Sequence, residues 1–115
     1  MRKRSIAVVV AAGAVALAPV LGGVAIGAPK ATVKLGDNFF SPSEKTVAVG
    51  TKVRFNWTGG NRHNVTKSSG PGGGFASRTT RVNGVNFAKK FTKAGIYRLI
   101  CTIHPATMKL KLKVR

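Results

Sequence analysis

The sequence predicts an all-β fold, a two-sheet β-sandwich of seven or eight short antiparallel strands. Beyond residue 28 the apolar residues recur with period two, and no stretch of ten residues presents a helical face. Gly, Asn and Pro punctuate these runs at close spacing, as turns between short strands require. A chain of 115 residues also leaves room for only one small domain.

That domain is expected over residues 29–115, because residues 1–28 have a different character. Arg2, Lys3 and Arg4 precede an uncharged apolar run of 21 residues from Ile6 to Ile26, the layout of an export signal peptide. The run is long enough to cross a bilayer, so an uncleaved N-terminal anchor over residues 6–26 is the alternative. Pro19, Gly22 and Gly23 weaken it as a helix and favour cleavage, with the mature start between Ala28 and Thr32. Basic residues ahead of the run keep the N-terminus in the cytoplasm and send everything after Ala28 outside. The expected location is therefore periplasmic, cell-envelope or extracellular.

In chain order, residues 32–35 and 45–49 read as short strands, the second closed by Gly50. In residues 52–57, Val53, Phe55 and Trp57 alternate with Lys52, Arg54 and Asn56, which sets one face of a strand against a core. Residues 63–66 form a further short strand, and the glycine-rich stretch at 68–74 a flexible loop. That loop lacks the Lys-Ser/Thr pair and the following helix of a phosphate cradle. Residues 82–91 carry an Asn83-Gly84 turn signal, and residues 96–101 follow Ala94-Gly95. The last segment points Met108, Leu110, Leu112 and Val114 one way and Lys109, Lys111, Lys113 and Arg115 the other. Lysine on the outer face discourages edge-to-edge aggregation.

Without Arg2, Lys3 and Arg4, 17 Lys and Arg face only Asp37 and Glu44, a net charge of +15. Such a field selects anionic partners. Export removes the chain from most nucleic acid, which leaves an acidic redox protein, anionic lipid at a membrane surface, or an anionic cell-envelope component. A basic surface that merely keeps a monomer soluble is the plainer alternative.

Cys101 is the single cysteine and forms no internal disulfide, although small exported domains commonly rely on such staples. Beyond the leader, Met108 is the only methionine and His63 and His104 are the only histidines. Singly, each has a plain role: a packed thiol, the first core residue of the last strand, a turn at His104-Pro105. Together they place a thiolate, an imidazole and a thioether within residues 101–108, at C-x2-H-x3-M, with His63 arriving from a separate turn. A loop between two strands can curl around an ion where a straight strand cannot. Two imidazoles, one thiolate and a weak thioether suit both copper oxidation states. Zinc would accept Cys and two His, but Cu(II) binds more tightly and the thioether adds softness.

The segments N-R-H-N-V at 61–65 and F-x5-Y-x3-C-T-x-H-P at 91–105, with Met108 after them, resemble the two signature segments of the cupredoxins. The resemblance spans residues 32–115 and implies a Greek-key sandwich of about eight strands, one type 1 copper ion on His63, Cys101, His104 and Met108, and single-electron transfer. It also implies that Asn64 ties the ligand loops together through Thr102 and turns its backbone N–H toward the Cys101 sulfur. Plastocyanins and pseudoazurins look like C-x2-H-x4-M and amicyanins like C-x2-H-x2-M, so the gap of three here lies between them. A copper carrier or store of the cell envelope would need the same ligands and is the alternative function. Enzyme activity is not expected: both histidines are assigned, and no Ser-His-Asp set, carboxylate pair or nucleotide loop is present. Electrons are expected to leave through His104, in a small apolar patch with Ile103, Pro105 and Ala106, flanked by Arg62 and Lys67.

Overall fold

The computed structural model describes residues 29–115. The export segment or anchor expected at residues 1–28 lies outside the described residues. Eight strands follow: β1 (Lys30–Gly36), β2 (Phe39–Ser41), β3 (Glu44–Val47), β4 (Thr51–Trp57), β5 (Thr66–Ser69), β6 (Gly84–Phe91), β7 (Gly95–Ile100) and β8 (Lys109–Val114). They form two four-stranded sheets, ordered β2-β1-β4-β6 and β3-β8-β7-β5. The all-β sandwich follows from the period-two pattern, which gives every long strand one apolar face to bury.

In β4 Thr51, Val53, Phe55 and Trp57 are buried while Lys52 and Arg54 are exposed. β8 buries Leu110, Leu112 and Val114 and exposes Lys109 and Lys113. Val33 and Leu35 of β1 and Tyr97 and Leu99 of β7 complete the inner faces, and Cys101 and Met108 belong to the same cluster. Phe91 packs edge-on against Tyr97 at 4.9 Å between ring centroids, and the Tyr97 hydroxyl donates to the Lys93 carbonyl at 2.7 Å. Each large apolar side chain so buried contributes about 1.5–3 kcal/mol.

The structure departs from the sequence reading in three places. β1 runs parallel to β4 and β3 parallel to β8, where short antiparallel strands are expected throughout. After the β1–β2 hairpin the chain crosses to the other sheet for β3 and returns to lay β4 beside β1. Residues 63–66 are not a strand, since His63 makes an isolated bridge to Thr80 and β5 begins only at Thr66. The Asn83-Gly84 signal makes no hairpin inside a strand. Gly84, at φ 115°, opens β6 opposite Trp57. Residues 76–80 make only single bridges, so no preceding strand exists for β6 to fold back on.

The register Leu35↔Trp57↔Gly84 in one sheet and Ile100↔Lys109 in the other fixes one end of the sandwich. The loop after β4 and the β7–β8 loop both emerge there. Toward the far end, Lys30, Lys52 and Lys90 stand directly abreast on the outer face of β1, β4 and β6, all exposed. Like charges at that spacing destabilise a sheet by a few tenths of a kcal/mol per pair. Lys52→Glu replaces two repulsions by two attractions. It is expected to stabilise the protein by ~1 kcal/mol, several degrees in Tm, at low ionic strength, with the gain fading as salt is raised. Thermal melts of both proteins across a salt series check this, and a lower Tm for the variant would contradict it.

Candidate metal centre

His63 enters the site from the loop after β4, and its backbone is held on both sides. Its N–H donates to the Thr80 carbonyl at 3.0 Å, and its carbonyl accepts from Thr80 N–H at 3.1 Å and from Trp57 Nε1 at 3.1 Å. Trp57, the last residue of β4, thus fixes the residue that the following loop must deliver. The His63 ring is fully buried and has work for both nitrogens. Nε2 lies 3.1 Å from Asp37 Oδ1, and Nδ1 lies 4.0 Å from Cys101 Sγ.

Cys101 follows the last residue of β7 and is fully buried and unpaired by disulfide. The loop from Cys101 to Met108 folds on its own backbone. His104 N–H donates to the Cys101 carbonyl at 3.1 Å, Met108 N–H to the His104 carbonyl at 2.9 Å, and Cys101 N–H to the Met108 carbonyl at 3.1 Å. These bonds bring both ends of the loop together and turn Met108 into the core, where it is fully buried. His104 stays at the rim, half-buried, with its ring centre 5.8 Å from that of His63.

Asn64 joins the two loops. Its Nδ2 donates to Thr102 Oγ1 at 2.7 Å and Thr79 Oγ1 at 2.9 Å, while Oδ1 accepts from Thr102 N–H at 3.1 Å and Thr66 Oγ1 at 2.9 Å. Its backbone N–H points at Cys101 Sγ, 3.5 Å away. An amide offers two donors and two lone pairs, and here all four are used.

The donors fit a soft, redox-active ion. A buried thiol and a buried imidazole nitrogen 4.0 Å apart are too distant for a strong mutual hydrogen bond. Two ligands sharing one ion through bonds of ~2.0 Å to nitrogen and ~2.3 Å to sulfur stand at most about 4.3 Å apart, so the spacing suits joint ligation. Among the described residues, no three of His, Cys, Asp and Glu alone group closely enough to hold an ion. The close pair is His63 with Cys101, and His104 stands farther off, its ring centre 5.8 Å from that of His63.

A model of the copper-binding proteins of the plastocyanin/azurin family matches residues 28–115. The chain belongs to this family. Among solved structures, the copper-containing nitrite reductase of Thermus scotoductus SA-01 aligns at TM-score 0.69 and 28% identity. The alignment covers 83% of this chain but 24% of that one, so this cupredoxin spans about a quarter of the reductase. A reduced, Cu(I) form of an amicyanin variant aligns at TM-score 0.65 and 27% identity, over 81% of this chain and 87% of its own. A purple cupredoxin of Nitrosopumilus maritimus shares the fold at TM-score 0.64 and 23% identity, over 74% of this chain and 99% of its own. No curated protein sequence matches the chain. The family's cofactor is copper.

Two features of this cupredoxin go unread in its sequence. Asp37 sits in the turn between β1 and β2, 26 residues before the histidine it touches, and no local pattern links them. The one available hint is scarcity, because Asp37 is one of only two acids beyond the leader. Hydrogen bonds from Asn61 N–H, from His63 and from Gly60 N–H pull its carboxyl well below the ordinary range, to about 2. The second feature is Arg81, which lines an open concavity of about 450 Å³ with Gly60, Asn61, Arg62, Ile103 and His104. Lys67, expected beside Arg62, is elsewhere. Its Nζ donates to the carbonyls of Pro71, Gly72 and Gly73 at 2.5, 2.8 and 3.1 Å, which holds the glycine-rich loop in place. A larger concavity of about 610 Å³ lies over β3, β8 and β7, lined by Glu44, Arg98, Ile100, Thr107, Lys109 and Lys111 but by none of His63, Cys101, His104 and Met108.

Asn64→Ala removes four side-chain hydrogen bonds and leaves Thr102 N–H without its partner. The expected cost is about 2–3 kcal/mol of stability, together with faster copper loss because the two loops are no longer tied. Denaturant titration and copper release to a chelator measure both. A variant as stable as the parent would show that the loops are held by something else.

Proposed function

We propose that this cupredoxin is an exported electron carrier whose single copper ion is held by His63, Cys101, His104 and Met108. The observation that carries the reading is the buried His63–Cys101 pair, 4.0 Å apart, with Met108 in the core behind it and His104 at the rim. When bound, copper supplies the one-electron couple. Three of the four proposed ligands are buried in a packed interior, which supports a site where a change of charge demands little movement. Asn64 N–H turned toward Sγ stabilises negative charge on the sulfur. Carrier function without catalysis agrees with a chain whose two histidines are both proposed as ligands of the one ion.

His104 is the half-exposed member of the set, and its surroundings define where a partner would dock. Ile103 is 44% exposed beside it, and Arg62 and Arg81 line the adjoining concavity. An apolar contact rimmed by two guanidinium groups suits an acidic redox protein, with the charges speeding encounter more than tightening the complex.

Cu(II) added to the purified protein is expected to give an intense visible thiolate band. Cys101→Ser should abolish it, because an alcohol is not ionised to a soft ligand at neutral pH. Met108→Leu conserves volume and removes only what would be the weakest of the four donors, so colour should persist and stability fall by less than ~1.5 kcal/mol. A colourless Cu(II) complex of the parent protein would sink the proposal.

Arg62→Glu should slow electron exchange with an acidic partner about tenfold at low ionic strength, and the difference should shrink as salt rises. Stopped-flow rates across a salt series test this. Rates insensitive to both salt and residue 62 would place docking on another face.

A further inference from the structure

We infer that Asp37 is a positioning residue for His63, fixing the ring's tautomer and orientation so that the Nδ1 lone pair faces the Cys101 sulfur, and setting a negative charge behind the ligand. The inference rests on the proposed ligand role of His63 and adds to it a residue outside the expected donor set.

A neutral imidazole carries one N–H, and an ionised carboxylate only accepts. With Asp37 Oδ1 at 3.1 Å, the proton belongs on Nε2. Nδ1, facing Sγ at 4.0 Å, is then the nitrogen with the free lone pair. A ring without that acceptor could place its proton on Nδ1 and point it at the thiol, and such a ring cannot ligate from that side.

The carboxylate is itself immobilised. Oδ1 accepts from Gly60 N–H at 3.0 Å and Asn61 N–H at 2.9 Å, and Oδ2 lies 3.1 Å from the same Gly60 N–H. Gly59 allows this close approach, since a Cβ there would collide with the Asp37 carboxylate. On its own side Asp37 is the first residue of a two-residue turn, with Gly36 paired to Phe39 and Asn38 at φ 70°. The β1–β2 hairpin is thereby clamped to the loop that carries His63.

The charge balance argues against an incidental contact. Seventeen Lys and Arg follow the leader, yet among the described residues the only acid–base pair within 4 Å is Asp37 with His63. Outer partners of this kind typically change metal affinity 10–100-fold when removed. The negative charge behind the ring also favours the more highly charged state of the ion, so its loss should raise the reduction potential.

The test uses the full chain with Asp37→Asn, Asp37→Ala and His63→Ala at one fixed pH. Nitrogen chemical shifts of His63 in the metal-free protein report the tautomer, chelator competition reports Cu(II) affinity, and voltammetry the potential. The parent and Asp37→Asn should keep the Nε2–H tautomer, because an amide oxygen still accepts, while Asp37→Asn shows a higher potential. Asp37→Ala should lose the single tautomer and bind copper 10–100-fold more weakly. The inference is overturned if Asp37→Ala keeps the tautomer and an affinity within twofold of the parent. Should Asp37→Ala not fold, an unchanged potential in Asp37→Asn overturns it. Copper binding undisturbed by His63→Ala would instead overturn the ligand reading itself, a separate outcome.

Discussion

Two loops belonging to different sheets have to meet at one end of this sandwich, and the side chain of Asn64 is the bond between them. The loop after β4 leaves one sheet and joins the other only at β5, where Thr66 pairs with Ile100, so the ladder fixes the separation of the two loops up to that pair and no further. Beyond that pair Asn64 sets it by spending every donor and acceptor it has on Thr66, Thr79 and Thr102. A buried polar network stiffens a structure only when fully satisfied, and this one is. The distance from His63 to Cys101 is therefore fixed by protein bonds before any ion arrives. Cys101 directly follows β7, and His63 is bonded to Trp57 and Thr80, so neither can drift far from that geometry.

The charge distribution follows from how little the fold needs ion pairs. The inner faces supply the cohesion, and the cations stand outside on β1, β4, β6 and β8, where exposed charges cost little. Even the abreast row Lys30, Lys52, Lys90 is tolerated, at a penalty small beside the burial of Phe55, Trp57 and Phe91. With so few acids, the position of each is informative. Glu44 pairs in register with Lys111 on an outer face, whereas Asp37 is drawn to the ligand end by three N–H groups.

What was legible in the sequence was whatever is encoded locally. Residues 52–57 and 108–115 announce β4 and β8 because alternation is a property of neighbours, and one buried face forces the register. The residues from Cys101 to Met108 stand out because their closure needs only bonds inside that segment. The parallel pairings β1·β4 and β3·β8 were not legible, since they depend on which sheet the chain enters next. β2 was missed because three residues are too few to show a period and its Asp37-Asn38 turn lacks the usual glycine. The strand expected at residues 63–66 failed for the opposite reason: its apolar pattern is real, with Val65 buried, but the hydrogen-bonding partners there are side chains and single bridges.

Packing and ligation are usually rival explanations for a buried cysteine or methionine, and here the same side chains serve both. Cys101 and Met108 belong to the core cluster together with Leu99, Leu110 and Leu112, which flank them on β7 and β8. The core that stabilises the sandwich is thus continuous with the proposed ligand set, and the rigidity that close packing gives an interior extends to the sulfur atoms. Rigidity is what one-electron exchange asks of a site, because every ångström a ligand moves between charge states adds to the barrier. His104 lies outside that cluster, at the rim and half-exposed. The division leaves three of the proposed ligands buried and one at the surface, and it follows from the chain turning inward at Met108 only after passing His104 over the end of the sandwich.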